Sequence, residues 1–182
     1  MVDIQTVSIA IASAGVFLAA IYYMLQLRHQ AKQRQTDLVI RLYSTLGSKE
    51  FSEALTKFMM MEFNDYEDYR KKYAPSPTGF SEKPEVTAFN QVAVFYEGIG
   101  VLLYAKLIDI DLTSRLFRNA VEYTWEKMKP IIEGYRREGH PQLLAEYEYL
   151  YGEMKKKERK LPKLPVKVPS DKMPSKGASA LT

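Results

Sequence analysis

A long, mostly apolar stretch without charged residues lies near the start of the chain. No charged side chain lies between Ile4 and Leu27, and as a helix this stretch is about 36 Å long. It can therefore cross the hydrocarbon core of a bilayer, which is about 30 Å thick. A signal peptide would have a basic leader and a shorter apolar core, but Met1-Val2-Asp3 contains no Lys or Arg. The pattern predicts a retained transmembrane anchor over residues 1–27.

The residues at the end of the anchor indicate its orientation. Arg28, Lys32 and Arg34 follow the apolar stretch, and basic residues beside a membrane segment favour the cytoplasmic side. Tyr22 and Tyr23 lie near the same end, where amphipathic rings favour the membrane interface. These five residues are the candidate membrane-interface set. We expect a single-pass protein of the cell membrane, with its N-terminus outside and the rest of the chain in the cytoplasm.

Beyond the anchor, apolar positions recur every three or four residues, which is the spacing of amphipathic helices. The pattern predicts a juxtamembrane helix over 28–46 and a helical domain over 47–157. We expect Asp111 to cap one helix of this domain and Pro130 to kink or restart it, since proline lacks a backbone donor. No segment alternates with the period of two that is typical of strands. The predicted fold class is all-α, with a single transmembrane helix continuing into a cytosolic bundle of four to six helices.

One stretch of the domain permits a second interpretation. Residues Val86 to Leu107 are apolar nearly all round, which predicts a helix that is buried on most of its surface. Val86–Ala105 is also long enough to be a second membrane span. Asn90, Gln91 and Glu97 lower its hydrophobicity, and a carboxylate inside a membrane is unfavourable. We therefore favour the buried helix.

Charge divides the chain into an acidic body and a basic tail. Residues 47–154 hold 13 Lys or Arg against 18 Asp or Glu, whereas residues 155–182 hold 9 against 2. The tail, residues 158–182, contains four prolines among its lysines, so we expect it to be disordered. Its charge would be attracted to anionic lipid headgroups and only weakly to nucleic acid; a merely solubilising role is the alternative. Membrane lipid is an expected partner, and nucleic acid is not.

Few residue types suited to metal binding or covalent catalysis are present. The chain has no cysteine, which excludes disulfides, thiol nucleophiles and thiolate metal sites. His29 and His140 are its two histidines, too few for a histidine-rich metal site. We predict no cofactor, no metal site and no catalytic residue.

Glu97 is the candidate buried polar site. It is the one charged residue between Val86 and Tyr104. A buried carboxyl group must be protonated or must meet a cation or hydrogen-bond donors. The candidate partners are Arg115, Arg118 and Arg41. We expect a structural ion pair or a hydrogen-bonded carboxyl group; a functional acid is the alternative.

Gly98 and Gly100 interrupt the same helical pattern. Each weakens a helix by about 0.5–1 kcal/mol relative to Ala, so we expect both to permit close packing of a neighbouring helix. A phosphate-binding loop is not expected, because no strand precedes the glycines.

Three segments of the domain carry a resemblance to a known family. The segments are Phe95-Tyr96-Glu97-Gly98-Ile99-Gly100, Leu107-Ile108-Asp109-Ile110-Asp111 and Trp125-Glu126-Lys127-Met128-Lys129-Pro130-Ile131-Ile132. They are similar to small prokaryotic membrane proteins grouped as domain of unknown function family 4760, and the resemblance extends from the anchor to about Lys157. It implies an anchored helical domain, but the family has no agreed activity, so no catalytic residue is implied.

The sequence favours a membrane-tethered interaction or scaffold module that is not an enzyme. Its expected partners are membrane lipid and a protein of unknown identity. Small residues at four-residue steps in the anchor, such as Gly15 and Ala19, are compatible with a homo-oligomer. One alternative is a small membrane effector or pore-forming protein of a defence-type system. The other is an enzyme that acts on lipid or nucleotide through a carboxylate site.

Overall fold

A computed structural model describes residues 3–76 and 81–158. Apart from Glu158, the predicted tail lies outside the described residues. The described ranges contain helices and no strand, so the predicted all-α fold class is confirmed. In chain order the helices are α1 (Ile4–Leu46), α2 (Lys49–Met59), α3 (Tyr66–Tyr73), α4 (Pro84–Tyr104), α5 (Ile110–Arg137) and α6 (Ala145–Glu158).

Helix α5 begins earlier than the sequence pattern predicted. Its N-cap is Asp109, whose carboxylate accepts a hydrogen bond from the backbone N–H of Leu112 at 3.0 Å. The prediction that Asp111 is the cap is therefore wrong; Asp111 lies in the first turn and forms an ion pair with Lys157. Negative charge is favourable at both positions because a helix N-terminus is partly positive. Ile110, between them, packs against the core, and this contact favours the earlier start.

Pro130 does not restart a helix. Helix α5 continues without interruption from Ile110 to Arg137, with the proline inside it. Met128 precedes the proline, Ile131 and Ile132 follow it, and all three side chains are fully buried. Tertiary packing of such an apolar face contributes more to helix stability than local propensity does. This packing therefore offsets the loss of the backbone hydrogen bond that Pro130 cannot donate.

The C-terminal part of α1 belongs to the core. Val39 is fully buried, and the ring of Tyr43 meets Phe117 of α5 edge to face, with centroids 5.9 Å apart. The side-chain amide of Gln35 donates a hydrogen bond to the carbonyl oxygen of Lys106 at 3.1 Å. Because α1 is one unbroken helix, its apolar N-terminal part continues directly into its core-packing part.

Two of the described helices, α1 and α4, are long and apolar enough to cross a membrane. The most apolar window of α1 contains no buried residue, whereas half of the α4 window is buried in the domain. One face of α4 packs on α2 and another on α6, as expected for a core helix. Its remaining face is exposed and carries Val94, Gly98 and Val101, so α4 is less completely buried than its sequence predicted.

The glycines of the helices differ in what surrounds them. A Cβ atom added at Gly100 would overlap the backbone carbonyl oxygen of Glu146 on α6, so here the predicted close packing occurs. At Gly98 an added Cβ would meet no atom within 4 Å, so the same prediction is wrong for this residue. Gly134, which the sequence analysis missed, lies directly beneath the ring of Tyr66 and lets α3 approach α5.

We expect Gly100→Ala to lower the free energy of unfolding by about 1–3 kcal/mol, because a methyl group here forces the backbones of α4 and α6 apart. Gly98→Ala is the matched control in the same helix; it meets open space and should raise stability by about 0.5–1 kcal/mol through helix propensity. Denaturant unfolding of the full chain in detergent, followed by circular dichroism, measures both. Equal effects of the two substitutions on stability would contradict the close contact between α4 and α6 at Gly100.

We expect Val39→Ala to destabilise the domain by about 2 kcal/mol, because it leaves a cavity between α1 and the core. The neighbouring Leu38 is 37% exposed, so Leu38→Ala should change stability by less than about 1 kcal/mol. The same unfolding measurement applies. A domain that is insensitive to Val39→Ala would mean that α1 does not contribute to the core.

Candidate functional site

The side chain of Glu97 meets the first turn of α6. The backbone N–H of Tyr147 donates a hydrogen bond to Glu97 Oε2 at 2.7 Å. Tyr147 is the third residue of α6, and the first N–H groups of a helix have no partner within that helix. Glu97 therefore caps α6 from another helix, where a negative charge also interacts favourably with the helix dipole. Leu144, with φ 53°, turns the chain into α6.

A second carboxyl group changes the electrostatics of this contact. Burial raises the pKa of Glu97 to about 7, and the hydrogen bond and charge of the Glu146 carboxyl act in the same direction. The backbone N–H groups of Tyr147 and Glu146 oppose the rise because they stabilise the ionised form. The Glu97 carboxyl group therefore keeps its proton to a higher pH than a free glutamate does. We call Glu97, Glu146 and the N–H of Tyr147 the carboxyl site.

The arginines predicted beside Glu97 lie elsewhere. Arg118 donates to the hydroxyl of Ser114 on its own helix, at 3.3 Å from Nε and 3.1 Å from Nη2, and Arg115 is exposed. Arg41 of α1 is exposed as well, and none of the three guanidinium groups meets Glu97. The physical reason is that helix N–H groups provide the compensation that the sequence analysis expected from a cation.

Aromatic side chains fill the core beneath the carboxyl site. The ring of Tyr147 stacks on Tyr96, with centroids 5.1 Å apart, and meets Trp125 edge to face at 5.0 Å. The Tyr147 hydroxyl shares a hydrogen bond with Thr124 and contacts the carbonyl oxygen of Val121 at 3.3 Å. Burial raises the pKa of Tyr147 well above its usual value. Tyr147 is thus fixed by its backbone at one end and by its hydroxyl at the other.

A second polar group in an aromatic setting was missed by the sequence analysis. The guanidinium of Arg70 lies 6.0 Å from the ring centroid of Tyr66 and 5.8 Å from that of Tyr135, within the range of cation–π attraction. Gly134 inside a long helix pattern, next to Tyr135, was the sequence signal that could have indicated this packing. The arrangement joins α3 to α5, and the carboxyl group of Glu138 lies close enough to interact with both Tyr66 and Arg70.

The predicted membrane-interface residues all lie on α1, and their side chains are exposed: Tyr22, Tyr23, Arg28, Lys32 and Arg34.

Two of these basic residues line a cleft. Arg28 and Lys32 face Asp109 and Leu112 of the α5 start across a space of about 350 Å³. Within residues 3–76 and 81–158, no group of three or more acidic or histidine side chains is placed to hold a metal ion. The polar features that remain are a basic cleft beside α1 and the carboxyl site between α4 and α6.

The architecture is that of an all-α chain in which an exposed apolar helix continues into a helical domain. The chain belongs to the family described as domain of unknown function DUF4760, whose model matches residues 9–154. This confirms the family that the sequence resembles. No curated protein and no solved structure matches the chain.

The carboxyl site predicts that stability depends on pH. The pKa of Glu97 rises from 4.5 to about 7 on folding, so between these values the folded state holds a proton that the unfolded state releases. Stability from this group is complete below pH 4.5 and is lost as the pH rises through about 7. The loss should be at most about 3 kcal/mol, since partial exposure reduces it.

Glu97→Gln should remove most of this pH dependence and should be more stable than the unaltered protein at pH 8, because the amide cannot ionise. Glu133→Gln, at an exposed position on α5, is the control and should leave the dependence unchanged. Thermal unfolding of the full chain in detergent at a series of pH values tests this. A slope that persists in Glu97→Gln would assign the titration to other groups.

Proposed function

We propose that this protein is a membrane-tethered helical interaction module, not an enzyme, that holds its domain in a fixed orientation at the cytoplasmic face of the cell membrane. The observation that carries the proposal is the continuity of α1. Its apolar part is exposed, its last three turns enter the core at Val39, and no break separates the two. A flexible linker would have been sufficient for attachment alone, whereas a continuous helix also fixes orientation.

Hydrophobicity and charge support the tether. An apolar helix face of this size on a soluble domain is unfavourable unless lipid or another protein covers it. Arg28 and Lys32 follow the apolar segment, and basic residues at this position favour a cytoplasmic domain. The proposed topology is a single span with the N-terminus outside.

The contacts of the carboxyl site support a structural role for Glu97. Glu97 caps α6 and holds α4 against it, which accounts for a buried carboxyl group without a reaction. The exposed face of α4, with Val94 and Val101 on either side of Gly98, is compatible with contact to a protein partner. Homo-oligomers through the span remain part of the proposal, because small residues at four-residue steps, such as Gly15 and Ala19, let two helices approach closely.

The absence of cysteine makes the topology directly testable with single-cysteine variants. Gln5→Cys and Met60→Cys place thiols at exposed positions at the two ends of the proposed arrangement. In intact cells a membrane-impermeant maleimide should label Gln5→Cys and not Met60→Cys, and permeabilised cells should show labelling of both. The protein should also remain in the membrane fraction at alkaline pH.

Labelling of Met60→Cys in intact cells would place the domain outside and overturn the orientation. Release of the protein at alkaline pH would overturn the span itself. The unaltered chain is the control for the labelling, because it has no thiol to react.

A further inference from the structure

The turn between α4 and α5, residues 104–109, lies beside the end of the apolar segment of α1. We call it the α4–α5 corner. Gln35 donates a hydrogen bond to the carbonyl oxygen of Lys106, and Asp109 lines the same cleft as Arg28 and Lys32. Gln35 follows Leu27 by eight residues, about 12 Å along the helix. The corner therefore lies close to the proposed membrane surface.

The corner exposes large apolar side chains. Tyr104 is 70% exposed and Leu107 is 51% exposed, and the ring of Tyr104 is held by Tyr149 at a centroid distance of 5.5 Å. Lys106, between them, is also exposed. Tyrosine, leucine and lysine together are typical of segments that lie in the interface of a membrane.

The backbone of the corner makes this exposure unusual. The N–H of Leu107 bonds the carbonyl oxygen of Leu102, and the N–H of Lys106 bonds that of Leu103, which is the Schellman pattern of a helix end. Glycine is the usual residue at the left-handed position of this motif, yet here it is Lys106, with φ 59°. The following residue commonly packs back on its helix, yet Leu107 is half exposed. The corner thus presents a cation and an apolar group outward.

Charges at this end of the domain favour an anionic partner. The acidic groups are engaged: Asp109 caps α5, Asp111 pairs with Lys157, and Glu153 pairs with Lys156. Helix α6 ends here, because Lys157 reaches the first turn of α5. The residues that follow, 159–182, contain six Lys or Arg against one Asp. Basic groups beside an anionic leaflet are attracted to its headgroups.

We propose that the α4–α5 corner docks on the anionic lipid surface around the span, with Tyr104 and Leu107 inserted among the headgroups and Lys106 against lipid phosphate. This rests on the proposed tethering by α1 and adds a second membrane contact made by the domain itself. Two contacts, one through the span and one through the corner, fix the rotation of the domain about the α1 axis.

The test uses the full chain reconstituted in vesicles of phosphatidylcholine and phosphatidylglycerol. A polarity-sensitive fluorophore is attached to one cysteine in each of three variants, Leu107→Cys, Met60→Cys and Phe17→Cys, and is quenched by a nitroxide carried on the lipid. Met60 is 75% exposed and lies near Lys127, which bonds the carbonyl oxygen of Met59. Lys127 is about 26 Å along α5 from its start, so Met60 is the distal control.

The probe at Leu107 should emit at shorter wavelength and be quenched several-fold more strongly than the probe at Met60. Quenching at Leu107 no stronger than at Met60 would overturn the corner proposal. If the probe at Phe17, in the middle of the span, is strongly quenched while the probe at Leu107 is not, the proposed tether by α1 is still supported. Absence of quenching at Phe17 would overturn both proposals.

Charge variants test the role of lipid phosphate. Lys106→Glu should weaken quenching at position 107 in vesicles that contain phosphatidylglycerol and should have little effect in phosphatidylcholine alone. Lys57→Glu makes the same charge change on an exposed position of α2, remote from the corner, and should change neither measurement. An equal loss of quenching at position 107 in both variants would show that the net charge of the protein, and not contact at the corner, determines the quenching.

Discussion

The close crossing of α4 and α6 is the contact on which most of the core depends. Gly100 lets the backbone of α6 approach α4, and this approach brings the N–H of Tyr147 to the Glu97 carboxylate. Once that hydrogen bond fixes the start of α6, the ring of Tyr147 lies between Tyr96 and Trp125. A glycine, a carboxyl group and an aromatic ring therefore act together, and each is effective because the other two are in place.

The carboxyl site couples this crossing to protonation. A carboxyl group at a helix N-terminus normally favours the ionised form, but burial and the neighbouring Glu146 outweigh that effect for Glu97 and raise its pKa to about 7. Protonation of Glu97 thus favours the folded state, in which α4 and α6 are in contact. The same helix, α4, ends at the corner that we propose to contact lipid, so packing of the domain and its membrane contact share one element.

Local patterns predicted local structure well and distant contacts poorly. Apolar spacing identified the helices, because a buried face must recur with the period of the helix. The cap of α5 was misplaced by two residues, since Asp109 and Asp111 are equally suitable in type and the choice depends on how Ile110 packs. The partner of Glu97 lies 50 residues away; it is a backbone N–H, which no residue type reveals.

Helix α1 contains no hinge between its apolar part and the core, and this has a mechanical consequence. The apolar segment is about 36 Å long, and a bilayer core of about 30 Å is matched by tilting such a segment. If α1 spans the membrane as proposed, a tilt of the segment inclines the domain with it, because the same helix continues to Val39. In that arrangement a thinner bilayer would incline the domain further than a thicker one, so that local membrane thickness would set the angle between the domain and the membrane plane.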